Sequence, residues 1–294
     1  MVAVAVLLAV VAALLFALSA AFQHRAAHGA SRLVIAGTKS AGRRTFGRLL
    51  GSPTWLIGAG LAGVGFGFHA AALQLGSIAL VQPLLTLTLP ISVIVGGARE
   101  RRTIERSDWA ALATMCLGVV AFIAVTAAPA GAARPRGVLF LGVVAAAGLT
   151  ALLTVVGRGM GPAGRATTWG CAAAVAFGIT ATLTKAMTAD LASGAPLTAL
   201  TDWPLWGLLL AAVAGIGLEQ AAFAAGPITA VMVPVTLLNP VAACVIASFG
   251  WHQSLLGGAD VVLAAISVAI ALSVAGVVLL SRSALLQPAP RRVS

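Results

Sequence analysis

Charge is what this chain has least of. Asp, Glu, Lys and Arg make up 9% of its 294 residues and only seven residues are acidic, whereas 60% are hydrophobic and the mean hydropathy is +1.06. An ordinary soluble domain carries about 25% charged residues. The shortage therefore excludes a water-exposed surface of the usual kind and points to a polytopic membrane protein.

Cysteine is equally sparse. Cys116, Cys171 and Cys244 each stand alone in an apolar run. With no CxxC and no Cys/His pairing they make neither a disulfide framework nor a metal site, and they read as helix-packing residues. Catalytic signatures are missing too: there is no HExxH, no GxSxG, no P-loop and no phosphate-cradling strand-to-helix pattern. The chain is accordingly expected to be no enzyme and to carry no cofactor or metal. Without a Walker motif, any transport it performs must draw on an ion gradient or on the substrate's own. The first apolar run ends in ALSA, which resembles a small-residue cleavage site, but no Lys or Arg precedes it, so it is read as a retained span.

What is present is long apolar runs. A helix needs about 20 such residues to cross the hydrocarbon core. Nine runs qualify, near 3–22, 54–75, 77–97, 109–127, 137–157, 166–188, 204–225, 227–249 and 260–281. The expected fold is an all-α bundle of about nine transmembrane helices, forming one integral membrane domain over 1–294. The net charge of +11 has a simpler explanation than nucleic acid. With the N-terminus outside, the inner side receives Arg25, Arg32, Lys39, Arg43, Arg44 and Arg48, then Arg99, Arg101, Arg102 and Arg106, then Arg158 and Arg165, and finally Arg282, Arg291 and Arg292. Only Arg134 and Arg136 fall in outer loops, while Lys185 lies near the outer end of its helix. The positive-inside rule thus supports the count and the orientation together, with a cytoplasmic C-terminus. Trp55, Trp109, Trp169, Trp203, Trp206 and Trp251 all lie near a span end, where indoles prefer the membrane interface.

A shift of 150 residues brings FHAAALQLGSIALVQPLLTLTLP onto LEQAAFAAGPITAVMVPVTLLNP, with Gly76 on Gly226, Thr86 on Thr236 and Pro90 on Pro240. A shift of 161 sets Phe16 on Phe177 and Ser19 on Thr180. Helices 1 to 4 (about 3–127) then correspond to helices 6 to 9 (about 166–281), with 137–157 as a linking helix. One unpaired helix between them makes the repeat inverted, a pattern transporters show.

LQLGSIALVQPLL followed by GGARERRTIERSDWAALATMCLGVV resembles the drug/metabolite transporter superfamily over essentially the full length. In EamA-type members a third helix ends in small residues, followed by a Glu in a basic loop and a Trp opening a Gly-containing helix. Gly96, Gly97, Glu100, Trp109 and Gly118 match that pattern, whereas the second half offers His252 where an acid is expected. The nine-helix layout and LVQPL are most similar to the NIPA-type magnesium transporter branch, which carries a Glu and an Asn where this chain has Phe66 and His69. The resemblance implies a secondary transporter, of a small polar metabolite or, alternatively, of magnesium. A membrane scaffold or lipid-handling protein is the reading from a different class.

Glu219 is the only acid inside a long apolar segment, and an intramembrane ionisable group is by default a functional one. It aligns with His69, each about 6 Å from the midplane at 1.5 Å rise per residue. Both suit proton-coupled transport. The opposing reading makes Glu219 packing glue with Gln220 or another polar partner. Gln74, Gln82, Thr86, Thr88, Thr236 and Asn239 are expected to face the bundle interior because lipid offers them no partner. Gln82 and Asn239 are the better substrate candidates, since a Thr hydroxyl can bond its own helix. Lys185 is expected to snorkel to the outer interface, with an anionic substrate or Glu219 as alternative partners. Gly63 and Gly67 form a GxxxG spacing on a glycine-rich helix 2, a close-approach face or a hinge. Small solutes or ions and membrane lipids are the expected partners, nucleic acid is not, and a homodimer is left open.

Overall fold

The computed structural model describes residues 1–32, 51–91, 94–95, 105–126, 135–194, 200–226 and 228–251, with 271 and 275. Eight helices follow one another: α1 (Val2–Arg32), α2 (Pro53–Leu75), α3 (Ile78–Leu85), α4 (Arg106–Thr126), α5 (Arg136–Arg158), α6 (Pro162–Ala192), α7 (Trp203–Ala225) and α8 (Ile228–Gly250). Six stretches among them, within α1, α2, α5, α6, α7 and α8, are long and apolar enough to cross a membrane. The expected span at 260–281 lies outside the described residues except for 271 and 275, both helical.

Local chemistry sets the helix ends. Ser52 and Ser77 stand at the N-caps of α2 and α3, where their hydroxyls accept from Trp55 N and Leu80 N. Asp202 caps α7 by accepting from Trp203 N at 2.7 Å. Proline opens α2, α6 and α7, where its missing N–H costs nothing. α6 stops at Ser193 and Gly194, the latter at φ +79°, a left-handed conformation suited to glycine. α1 runs ten residues past its apolar run because AAFQHRAAHGASR contains no helix breaker apart from a single glycine.

α3 departs most from expectation. The apolar run at 77–97 suggests one continuous span, yet the helix breaks at Thr86 and Leu87 before resuming toward Ile91. Pro90 is the cause: it has no N–H to offer the Thr86 carbonyl, and its ring clashes with that carbonyl. The turn closes instead with tighter bonds, Thr86 N to Pro83 O and Leu87 N to Leu84 O, both 3.1 Å.

α6 is the hub. It packs on α7, α8 and α5 and also reaches α2 and α3. Its best apolar window is 72% buried, against 22–33% for the other five candidate spans. Alanine, glycine and threonine make up most of that buried surface, and small side chains let helices close on one another without a hydrophobic driving force. Elsewhere the apolar side chains point outward, as at Leu141, Leu210 and Val213, a surface made for lipid tails.

α1 lays an alanine face, including Ala5, Ala9, Ala12 and Ala17, toward the bundle, and α2 packs on it. The glycines that make this possible are Gly58 and Gly65, seven apart and both buried. A methyl group on Gly65 would sit 3.1 Å from the Phe16 ring. Gly63 and Gly67 meet nothing within 4 Å among the described residues, so the GxxxG spacing is not a packing face between the described helices. α6 and α7 meet in a similar way, with Gly215 against the Phe177 ring and Gly226 against Ala166, as Gly76 lies against Ala5.

Candidate functional site

α2 turns one face inward through Gly58, Gly65, His69, Ala72 and Leu73. The i, i+4, i+7 spacing of Gly65, His69 and Ala72 places them in one row. His69 is buried between the edges of two phenylalanines, with ring centroids 6.4 Å from Phe16 and 6.1 Å from Phe66. Its Nε2 lies 3.4 Å from Nε2 of Gln82, which α3 delivers from below the Ser77 cap. Gln82 is fully buried, and its Oε1 has no partner among the described residues. Turning the amide over exchanges the roles and still leaves one amide atom unmatched. An unmet polar atom in such a place costs about 1–3 kcal/mol, so the pair is held for a reason other than packing or awaits a further partner.

Glu219 and Gln220 are half-buried on α7. Glu219 comes four residues after Gly215 and three before Ala222, in one row with them along the face that α7 turns to α6. No hydrogen bond or ion pair among the described residues engages it. Asn239 is half-buried on α8, and its Oδ1 also lacks a partner among the described residues. No hydrogen bond links Glu219, Gln220 or Asn239 to the His69 and Gln82 pair. The structure thus joins His69 and Gln82 directly, while Lys185 stands on α6, Glu219 and Gln220 on α7 and Asn239 on α8.

Two expectations are corrected. Gln74 does not face the interior but is exposed. One residue past Leu73, it is rotated by about 100° off the inward face of α2, and it lies in the last turn of the helix. Lys185 does not snorkel outward. It is buried, and its ammonium donates to the carbonyl oxygens of Leu73 at 2.6 Å and Gly76 at 2.8 Å. The physical reason is the end of α2. The last carbonyls of a helix have no intrahelical donors and carry the negative end of its dipole, and Gly76 leaves the helix with extended geometry just there.

Thr86, Thr180 and Thr184 donate to Pro83 O, Ala176 O and Thr180 O in their own chain segments, while Thr182 and Thr88 reach across, to Ala243 O and Ala13 O. Ser19 donates to Gly58 O at 2.7 Å and accepts from Gln23 at 2.9 Å, stitching α1 to α2. Arg136, an apparent exception to the charge rule, pairs with both Asp190 and Asp202 and so ties the ends of α5, α6 and α7. The cluster is hard to see in the sequence because Arg136 stands 54 positions from Asp190 and further still from Asp202; their shared expected side of the membrane is the one available signal. A lateral cleft of about 540 Å³ between α5 and α7, lined by Phe140, Trp203, Trp206 and Leu210 among others, is apolar and offers little to orient a polar solute. Gly96, Gly97, Glu100 and His252 lie outside the described residues.

No family model matches the chain, and no solved structure does. It is 29% identical over 201 residues, 65% of its length, to an uncharacterized protein of Corynebacterium glutamicum, 67% of which the match covers.

Proposed function

We propose that this chain is a secondary transporter that moves a small polar metabolite or similar solute across the cell membrane by alternating access. The observation that carries the reading is a correspondence of packing. Phe16 meets Gly65 as Phe177 meets Gly215, and Ala5 meets Gly76 as Ala166 meets Gly226. In each case the first-helix residue is displaced by 161 positions and the second-helix residue by 150, the two shifts that align the sequence with itself. This supports a four-plus-four inverted repeat of nine spans, the ninth near 260–281, with α5 as the link. His69 and Glu219 then hold equivalent positions in the two halves, and inverted halves of this kind build a solute site between them. The distribution of basic residues supports an outer N-terminus and a cytoplasmic C-terminus.

In this scheme His69 and Gln82 supply one polar wall of the site and Glu219 with Gln220 the other, and Glu219 exchanges a proton as access alternates. The resemblance to the drug/metabolite transporter superfamily accords with that reading. A thermal-shift screen of the purified protein against amino acids, nucleosides, polyamines, cationic drugs and magnesium tests it, because a ligand selective for the folded state raises apparent stability. Selective stabilisation by an organic solute, lost in Glu219→Gln or His69→Phe, is the expected result. Stabilisation by magnesium alone would transfer the proposal to a cation transporter, and none at all to a membrane scaffold.

A further inference from the structure

The two halves do not meet symmetrically. α2 packs on α6, and Lys185 fastens that contact at the end of the bundle where α2 stops. The inverted counterpart of this pair is α7 with α1, and among the described residues those two helices make no comparable contact. One end of the bundle is therefore closed across the halves, and among the described residues no corresponding contact joins them at the other end.

We propose that Lys185 is the latch of one access state: its ammonium, held by the Leu73 and Gly76 carbonyls, keeps the end of the bundle bearing Gly76 shut, and its release accompanies closure of α1 on α7 at the opposite end. The inference rests on the alternating-access reading. By the charge rule the latched end is the outer one, so the structure is outward-closed.

The geometry suits a latch better than a permanent bolt. The acceptors are two backbone oxygens at a helix terminus, which water can satisfy when the ammonium leaves, and the donor sits on a long unbranched stem. Neither partner is stranded as a buried carboxylate would be. The lysine also binds across the halves, whereas Ser19 and Gln23 bind within the first half and Thr182 within the second. Its two bonds must break if the halves rock apart at this end.

Cysteine accessibility tests this without knowledge of the substrate. In a full-length chain with Cys116, Cys171 and Cys244 replaced by alanine, Leu73→Cys reports on the latched end and Gln23→Cys on the other. Lys185→Met should raise the labelling rate of position 73 by a membrane-impermeant maleimide about tenfold and lower that of position 23. Lys185→Arg, which keeps charge and donors, should label close to the parent rate. If Lys185→Met is not monodisperse, Lys185→Gln, one atom too short to reach both carbonyls, takes its place. Faster labelling at 73 with slower labelling at 23 supports the latch. Faster labelling at 73 alone supports closure of that end by Lys185 while overturning the two-state reading beneath it. Unchanged labelling at 73 in a folded variant overturns the latch and leaves the lysine as a cap of α2.

Discussion

Nζ of Lys185 on α6 lies 2.6 Å from the carbonyl oxygen of Leu73 on α2, across 112 positions of sequence. A charged donor on the most buried helix thus completes the end of a helix in the other half of the chain. Lys185→Met removes both bonds and leaves two carbonyls to find water at a buried junction. A loss of about 2 kcal/mol in stability is expected, read as a lower midpoint in thermal unfolding in detergent, with Lys185→Arg falling between the two.

Close helix contacts make a second prediction that turns on single methyl groups. A Cβ on Gly178 would lie 2.8 Å from both Ala242 Cβ and Ala243 N, and a backbone atom cannot swing aside. Gly178→Ala should cost about 1–3 kcal/mol by forcing α6 from α8. Gly63→Ala, with nothing nearby, should be neutral or slightly stabilising. A neutral Gly178→Ala would mean that α6 and α8 are not in such close contact.

The His69 and Gln82 pair separates stability from function. Gln82→Leu alone strands the imidazole, whereas His69→Phe with Gln82→Leu replaces both partners by apolar groups. The double variant should melt at or above the parent temperature yet lose solute-dependent stabilisation. A double variant that keeps its ligand response would remove the pair from the site.

Glu219 has no partner among the described residues, so its replacement should leave the fold nearly untouched. For Glu219→Gln we expect an unfolding midpoint close to the parent and a loss of proton-coupled flux in proteoliposomes. Undiminished, equally pH-dependent flux would refute the coupling role.

Arg136 is partly exposed between two aspartates, and exposed ion pairs contribute about 0–1 kcal/mol. Arg136→Ala should lower stability by less than about 1 kcal/mol, and the difference should shrink at high salt. The check is the same melt at two ionic strengths.

Much of the architecture is legible in the sequence because hydrocarbon imposes length. The apolar runs at 137–157 and 204–225 fall within one residue of α5 and α7, and 227–249 within one of α8. α1 and α6 run long because alanine-rich sequence carries no stop signal where the lipid ends. α3 was legible as far as its prolines, but where the break falls follows from a carbonyl four residues before Pro90. The site is less legible. Glu219, His69 and Gln82 stand out as polar residues among apolar ones. The partner of Lys185 is a pair of backbone oxygens, and these have no sequence signature at all. Spacing also favoured Gly63 and Gly67, whereas the glycines that pack are those opposite the rings and alanines of α1 and α6, a match only the folded neighbours reveal.

The break in α3 bears on how the chain is made. The segment interrupted at Thr86 and Leu87 holds its peptide groups in short turn bonds in place of a continuous helical ladder, and such bonds have poorer geometry, so α3 is a weaker span by itself than an unbroken helix. Its neighbours α1, α4 and α8 supply the packing that an unbroken helix would need less of, so insertion of α3 is expected to be the step of synthesis most sensitive to loss of the helices around it.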